Sequence, residues 1–156
     1  MGGEKDSGNP MIDFASPLFL HPSDTQGTSI IGQILTGSEN YTIWSKSMMI
    51  ALRGKNKVGF IDGSCKKEEQ DLKFFDHWER CNAVVLSWIL GSVSKDLASS
   101  LVYFQDAHTA WADLKERFDK ISGSRIFYLY QEIHSLRQGK LTVFAYYSRL
   151  KELWEE

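Results

Sequence analysis

The sequence is poor in cysteine and proline and has no marked excess of charge of either sign. Two cysteines in 156 residues, Cys65 and Cys81, are best interpreted as reduced thiols rather than as a disulfide framework. The three prolines all lie between Pro10 and Pro22, in a stretch whose composition favours an extended arm over a helix. Eighteen basic and twenty acidic residues give a formal net charge of -2, which argues against a dedicated nucleic-acid module.

The sequence also lacks long apolar segments. Its first ten residues, MGGEKDSGNP, do not contain the apolar core of a secretory signal. The most apolar run, His77–Leu90, is too short to span a bilayer, which takes about 20 predominantly apolar residues. We therefore expect a cytoplasmic protein without a membrane partner.

His77–Leu90 instead predicts the central helix of the fold. Apolar residues lead into it at steps of three and four, the period of one helix face. From Ala83 onward the apolar residues surround the whole circumference of the helix. Such a helix, when it is too short for a membrane, is covered by other helices.

The rest of the pattern predicts an all-α fold, a compact bundle of about five to six helices. We expect residues 1–15 to be disordered, 16–37 to form an extended arm, and 38–156 to form the helical domain, incomplete at its C-terminus. Capping residues place the helix starts at Ser38 or Asn40, at Ser94 and at Asp106. Two more helices are predicted near 126–136 and 142–154.

The connections on either side of the first helix carry further predictions. Gly54 stands where a left-handed residue would end that helix. The VGFIDG segment within 55–64 is interpreted as a short extended turn. Glu68, Glu69 and Asp71 are placed at the start of the central helix, where its dipole favours negative charge.

Catalytic motifs are missing from the sequence. It contains no G-x-S-x-G, no glycine-rich phosphate loop and no H-E-x-x-H. His77 and Cys81 lie four residues apart and could share a helix face as metal ligands, but a structural zinc needs about four ligands. A core thiol beside a surface histidine is the favoured interpretation. We predict no enzyme activity, no cofactor and no small-molecule substrate.

Basic residues cluster once, around a turn that contains Phe60. The cluster consists of Arg53, Lys55, Lys57, Lys66 and Lys67. It is either an RNA-contacting patch, because phosphate contacts need only accessible cations, or a solvated loop. The near-neutral net charge favours the solvated loop.

The C-terminal segment carries an apolar stripe at helical spacing. Its members include Tyr146, Tyr147, Leu150 and Trp154. The stripe either docks on the core of the domain or forms an interface with another copy. Because the helical pattern continues to Glu156, we expect the chain to be either a fragment of a longer protein or the product of a gene that has been cut short.

Several segments, in order along the chain, resemble one family. They are the HPSD arm, the L-T-G-x-x-N-Y-x-x-W box, ALRGKNKVGFIDG, WERCNAVVLSWIL, AWADLKERF, and Y-Y-x-x-L-K-x-L-W. Together they resemble the Gag polyprotein of plant copia-type LTR retrotransposons. The residues that we take as the family signature, all expected in the core, are Leu35, Gly37, Asn40, Tyr41, Trp44, Trp78, Trp88 and Trp111.

The resemblance implies a non-enzymatic, capsid-like structural protein that associates with itself and contacts the RNA of its element. In full-length relatives a Cys/His zinc knuckle follows this region, and no C-x-x-C occurs in the present sequence. Two alternatives remain open. One is a nucleic-acid-binding module that uses the 53–67 turn, and the other is an inactive or host-adopted Gag fragment that binds another protein.

Overall fold

Five α-helices follow a non-helical arm in the computed structural model, which describes residues 11–119, 130–134, 148 and 151–152. The helices are α1 (Tyr41–Gly54), α2 (Gly59–Asp62), α3 (Phe75–Gly91), α4 (Lys95–Leu101) and α5 (Ala107–Phe118). Two 3-10 turns, Lys67–Glu69 and Leu72–Phe74, precede α3. The described residues form no strand beyond a single bridge between Leu35 and Val93, so the predicted all-α class is confirmed.

Helix α3 is the central helix that the sequence predicted. It buries residues on several sides, including Cys81, Val84, Val85, Trp88 and Ile89. Helices α4 and α5 and both 3-10 turns pack against it. The second half of α3, which is almost entirely apolar, is therefore covered by neighbouring elements, as its composition requires.

Helices α1 and α5 pack against each other through aromatic rings. Helix α1 buries Tyr41, Trp44, Met48 and Leu52, the face that its periodicity predicted. The Trp44 ring stacks on Trp111 of α5 with 5.4 Å between centroids. These contacts join the first helix of the domain to the last helix of its continuously described part.

Two predicted helix caps are confirmed. The side chain of Ser94 accepts a hydrogen bond from the backbone N–H of Leu97, at the start of α4. The side chain of Asp106 accepts one from the N–H of Thr109, at the start of α5. Asn40 occupies the N-cap position of α1, but its side chain makes no capping bond there.

The connection between α1 and α3 differs from the sequence prediction. The VGFIDG segment is not extended, since it contains α2, whose Phe60 and Ile61 are buried and which packs on α5. Apolar burial against α5 decides its conformation. Helix α1 ends at Gly54, as predicted, but the left-handed residue is Asn56, with φ of 57°. The chain reverses direction at Asn56 so that the backbone N–H of the next residue, Lys57, can bond back to Leu52 O in the last turn of the helix, at 2.8 Å.

The acidic residues assigned to the start of the central helix lie upstream of it. Glu68 and Glu69 belong to the first 3-10 turn, and Asp71 precedes the second. Helix α3 begins only at Phe75 and carries Asp76 in its first turn. The helix starts late because residues 66–74 form two consecutive 3-10 turns.

The arm consists of turns and irregular backbone and pins a few apolar side chains onto the helices. Leu18 is buried, and Leu20, Ile30 and Ile31 pack against the core cluster. The predicted disordered N-terminus lies mostly outside the described residues, as do most of the two predicted C-terminal helices, of which 130–134 are helical. The predicted domain boundaries stay predictions. Among the described helices, none is both long and apolar enough to cross a membrane.

Candidate interaction surface

The L-T-G-x-x-N-Y-x-x-W box ties the arm to the turn between α3 and α4. The carbonyl of Ser92 accepts two hydrogen bonds, from the backbone N–H of Leu35 and from Trp44 Nε1, each at 2.9 Å. The carbonyl of Leu35 in turn accepts from the N–H of Ser94 at 2.9 Å. Leu35 and Trp44 are fully buried. The box therefore builds a structural junction between three parts of the chain.

Asn40 holds the turn inside this box. Its Oδ1 accepts from the N–H of Thr36 at 3.1 Å, and its Nδ2 donates to Ile34 O at 2.8 Å. Gly37 is buried in the same turn, and an added Cβ would lie 2.6 Å from Glu39 Oε2. The hydrogen bonds give Asn40 a local structural role, whereas the close neighbour at Gly37 is the end of a flexible, exposed side chain that can move aside.

The other signature tryptophans also make structural contacts. Trp78 Nε1 donates to Cys65 O at 3.0 Å, and its ring lies 5.7 Å from that of Phe60. Trp88 is 1% exposed and donates to Thr25 O at 3.0 Å. Trp111 is half-buried against Trp44.

Four side chains of the helical body bind main-chain carbonyls of the arm, and we call these four bonds the arm latch. They are Asn56 Nδ2 to Ala15 O at 3.0 Å, Cys81 Sγ to Leu18 O at 3.1 Å, Lys57 Nζ to Phe19 O at 2.6 Å, and Trp88 Nε1 to Thr25 O at 3.0 Å. Lys57, Cys81 and Trp88 are buried, whereas Asn56 is exposed, so the arm supplies carbonyl acceptors to three buried donors. The arm thus completes the hydrogen bonding of the body.

An ion pair lies beside the arm latch. Lys55 Nζ is 3.0 Å from Asp24 Oδ1, and it also lies 5.2 Å from the centre of the Trp88 ring. Burial acts to raise the pKa of Asp24, but the hydrogen bonds from Lys55 and from the backbone of His21 outweigh it, so this pKa is lowered. The carboxylate therefore stays charged and favours the docked arm.

The structure separates the five basic residues of the 53–67 turn. Lys57 is only 1% exposed, so its ammonium group does not reach a phosphate from solvent, and burial lowers its pKa. Lys55 pairs with Asp24, and Lys67 pairs with Glu79. Arg53 and Lys66 are exposed and form no ion pair with any residue in the described ranges. RNA contact by these residues stays a prediction.

Two further predicted sets concern metal binding and self-association. Cys81 is fully buried, and burial raises the pKa of its thiol to about 11. The portion of the chain that is described holds no group of three His, Cys, Asp or Glu side chains suited to a metal. The proposed self-association residues Tyr146, Tyr147, Leu150 and Trp154 lie outside the described residues.

Sequence reasoning missed the roles of Lys57 and Asn56. The polar GKNK sequence predicts that Lys57 lies on the surface. No pattern in the neighbouring sequence indicates that its side chain binds a carbonyl of the arm. Asn82 gave a better signal, because it interrupts the apolar face of the central helix. Its amide binds both Ala107 N and Gln105 O, at 2.8 and 2.9 Å, and so fixes the start of α5 on α3.

Comparison with protein families matches residues 21–67 to the Gag-polypeptide of LTR copia-type. No curated protein and no solved structure gives a significant match. The matched segment begins within the arm and contains Asp24 and Thr25, the whole signature box, α1 and α2. The Gag family is structural and non-catalytic, and the contacts of this segment agree with such a role. Across residues 21–67, therefore, the chain is similar to the Gag-polypeptide of LTR copia-type, and this match covers less than half of its length.

Proposed function

We propose that the chain is a non-enzymatic structural protein that associates with copies of itself into capsid-type assemblies, with RNA contact as a secondary property. The observation that carries the proposal is the use of the family-matched segment. Leu35, Asn40, Tyr41 and Trp44 are all committed to packing or to hydrogen bonds that hold the fold. A segment used in this way supplies a rigid body for assembly rather than a reactive site.

Apolar side chains on the surface support self-association. Ile43 and Ile50 lie two turns apart on α1 and are 49% and 68% exposed, while the opposite face of that helix is buried. Tyr103 is 86% exposed after α4. Exposed large apolar residues are normal singly, but they are also what contacts between copies of a chain use. The predicted stripe of Tyr146, Tyr147, Leu150 and Trp154 remains the proposed contact in the C-terminal segment.

Multi-angle light scattering on the full chain tests this function. The purified, nuclease-treated protein is measured over a concentration series, first alone and then with single-stranded RNA. We expect the mean mass of the wild-type chain to rise with concentration without RNA. The mean mass of the Leu150→Glu/Trp154→Glu variant should rise less, while its far-ultraviolet circular dichroism spectrum stays that of the wild type. A constant monomer mass in every condition would overturn the proposal.

Arg53 and Lys66 are the basic residues of the turn best placed for the secondary RNA contact, because the other three are paired or buried. We expect the Arg53→Glu/Lys66→Glu variant to bind single-stranded RNA more weakly. Two lost phosphate contacts would lower the slope of log affinity against log salt by about 1.4.

A matched control separates this contact from a general charge effect. Lys95→Glu/Lys115→Glu makes the same charge change at two exposed lysines on α4 and α5. Equal slopes for the two double variants would remove the 53–67 turn as an RNA contact, and with it the alternative of a dedicated nucleic-acid module at this site.

A further inference from the structure

The helical body recognises the backbone of the arm. All four arm latch donors, which belong to Asn56, Lys57, Cys81 and Trp88, come from the body, and all four acceptors are main-chain carbonyls of residues 15–25. Side chains that bind carbonyls along a segment form a receptor for a peptide chain, with specificity added by pockets for its side chains. Leu18, 5% exposed, supplies the buried side chain.

Beyond the arm latch, residues 11–25 contact the body through the Asp24–Lys55 pair and through Ile12, Leu18 and Leu20, of which only Leu18 is buried. Their backbone–backbone hydrogen bonds join residues within the arm, such as Phe19 N to Ser16 O and Asp24 N to His21 O. Two clefts, of about 490 and 300 Å³, lie along the line where the arm meets the body. Few buried apolar contacts and incomplete packing are typical of segments that open at low free-energy cost.

An exposed linker, which would act as the hinge if the arm moved, separates this segment from the junction at Leu35. Residues 25–29 are all exposed. Gly27 adopts φ of +80°, and an added Cβ would meet no atom within 4 Å. The linker joins Thr25, which is bound to Trp88, to Ile30, which packs on the core, and a change of the backbone angles at Gly27 would redirect residues 11–25.

We propose that the arm is exchanged between copies: residues 11–25 of one chain dock on the body of a second chain through the same arm latch and the same Lys55–Asp24 pair. This inference rests on the proposed self-association and names one of its contacts. Exchange replaces each contact by an identical one, so only the hinge differs between the two states. Mass action keeps the arm on its own body in dilute solution and favours exchange as concentration rises.

The Lys55–Asp24 pair provides the test, because a carbodiimide joins an amine directly to a carboxylate in contact with it. An Asp24→Asn chain is mixed with a Lys55→Gln chain, and one of them is labelled with ¹⁵N. Neither variant can form the Asp24–Lys55 amide within itself. The mixture is dissociated, concentrated, treated with the carbodiimide and digested for mass spectrometry.

We expect a cross-linked peptide that joins Asp24 of the Lys55→Gln chain to Lys55 of the Asp24→Asn chain. Labelled and unlabelled wild-type chains, mixed in the same way, should give cross-links of mixed label where the ion pair is intact. A mean mass that rises with concentration in light scattering, without either cross-link, would overturn arm exchange and leave self-association standing. No growth at all would refute the proposed function, and arm exchange with it.

Gly27→Ala provides an independent readout. The added methyl group strains the backbone at position 27 while the arm is docked on its own body, and this strain is relieved when the hinge opens. The variant should therefore form the exchanged dimer at a roughly tenfold lower concentration. Gly32→Ala is the matched control, since it also meets no atom within 4 Å but has no positive φ. An equal response of the two variants would contradict the hinge.

Discussion

The central contact of the family-matched segment is the indole of Trp44, and its removal provides the most informative perturbation. The side chain is fully buried, its Nε1 donates to Ser92 O at 2.9 Å, and its ring stacks on Trp111. Trp44→Phe removes the hydrogen bond and keeps most of the ring. Trp44→Ala removes both the bond and the stacking.

The structure sets the size of each effect. Loss of the hydrogen bond costs about 1 kcal/mol, and Ser92 O keeps its bond from the N–H of Leu35, so this carbonyl is not left without a partner. The smaller ring adds a cavity cost of similar size, so we expect a loss of about 2 kcal/mol for Trp44→Phe. Trp44→Ala should cost about 4 kcal/mol. At roughly 3 °C per kcal/mol for a domain of this size, the melting temperatures should fall by about 6 and 12 °C.

Urea unfolding and thermal melts followed by circular dichroism measure both losses. Trp111→Phe is the control, because Trp111 is half-buried and its indole N–H makes no hydrogen bond within the described part of the chain. It should cost less than about 1 kcal/mol. Equal losses of unfolding free energy for Trp44→Phe and Trp111→Phe would refute the structural role assigned to Trp44.

Three further outcomes are expected. Asn82→Ala leaves Ala107 N and Gln105 O without their partner, so urea unfolding should show a loss of about 2–4 kcal/mol in unfolding free energy. A loss below about 1 kcal/mol would contradict the role of Asn82 in fixing α5 on α3. Burial raises the pKa of Tyr41 to about 12 from an ordinary value of 10.0, so the folded state keeps this proton longer than the unfolded state. Stability should therefore fall as the pH rises from about 10 to 12, less so in Tyr41→Phe, and equal pH profiles would contradict this. The buried Cys81 thiol, with its raised pKa, should resist iodoacetamide in the native protein and react after unfolding, as mass spectrometry would detect.

Elements defined by local periodicity could be predicted from the sequence. The buried face of α1 and the central position of α3 follow from apolar spacing, and the caps of α4 and α5 follow from Ser94 and Asp106. Each of these features depends on residues close together along the chain. The L-T-G-x-x-N-Y-x-x-W box could also be recognised, because it lies within ten consecutive residues.

Features that depend on distant partners could not be predicted. Lys57 is buried because a carbonyl 38 positions away accepts its ammonium group, and no local pattern encodes that contact. The α2 segment looked extended because its burial comes from α5, about 50 residues further along. The arm latch likewise joins residues 38 to 63 positions apart, so no local pattern indicates it.

Electron microscopy of the concentrated, nuclease-treated chain tests self-association into capsid-type assemblies most directly. Negative-stain images are recorded at several protein concentrations, alongside the Leu150→Glu/Trp154→Glu variant. The account predicts regular particles or ordered arrays of the wild-type chain that become more frequent with concentration and are rare in the variant. Fields that contain only monomer-sized or amorphous material at every concentration would contradict it.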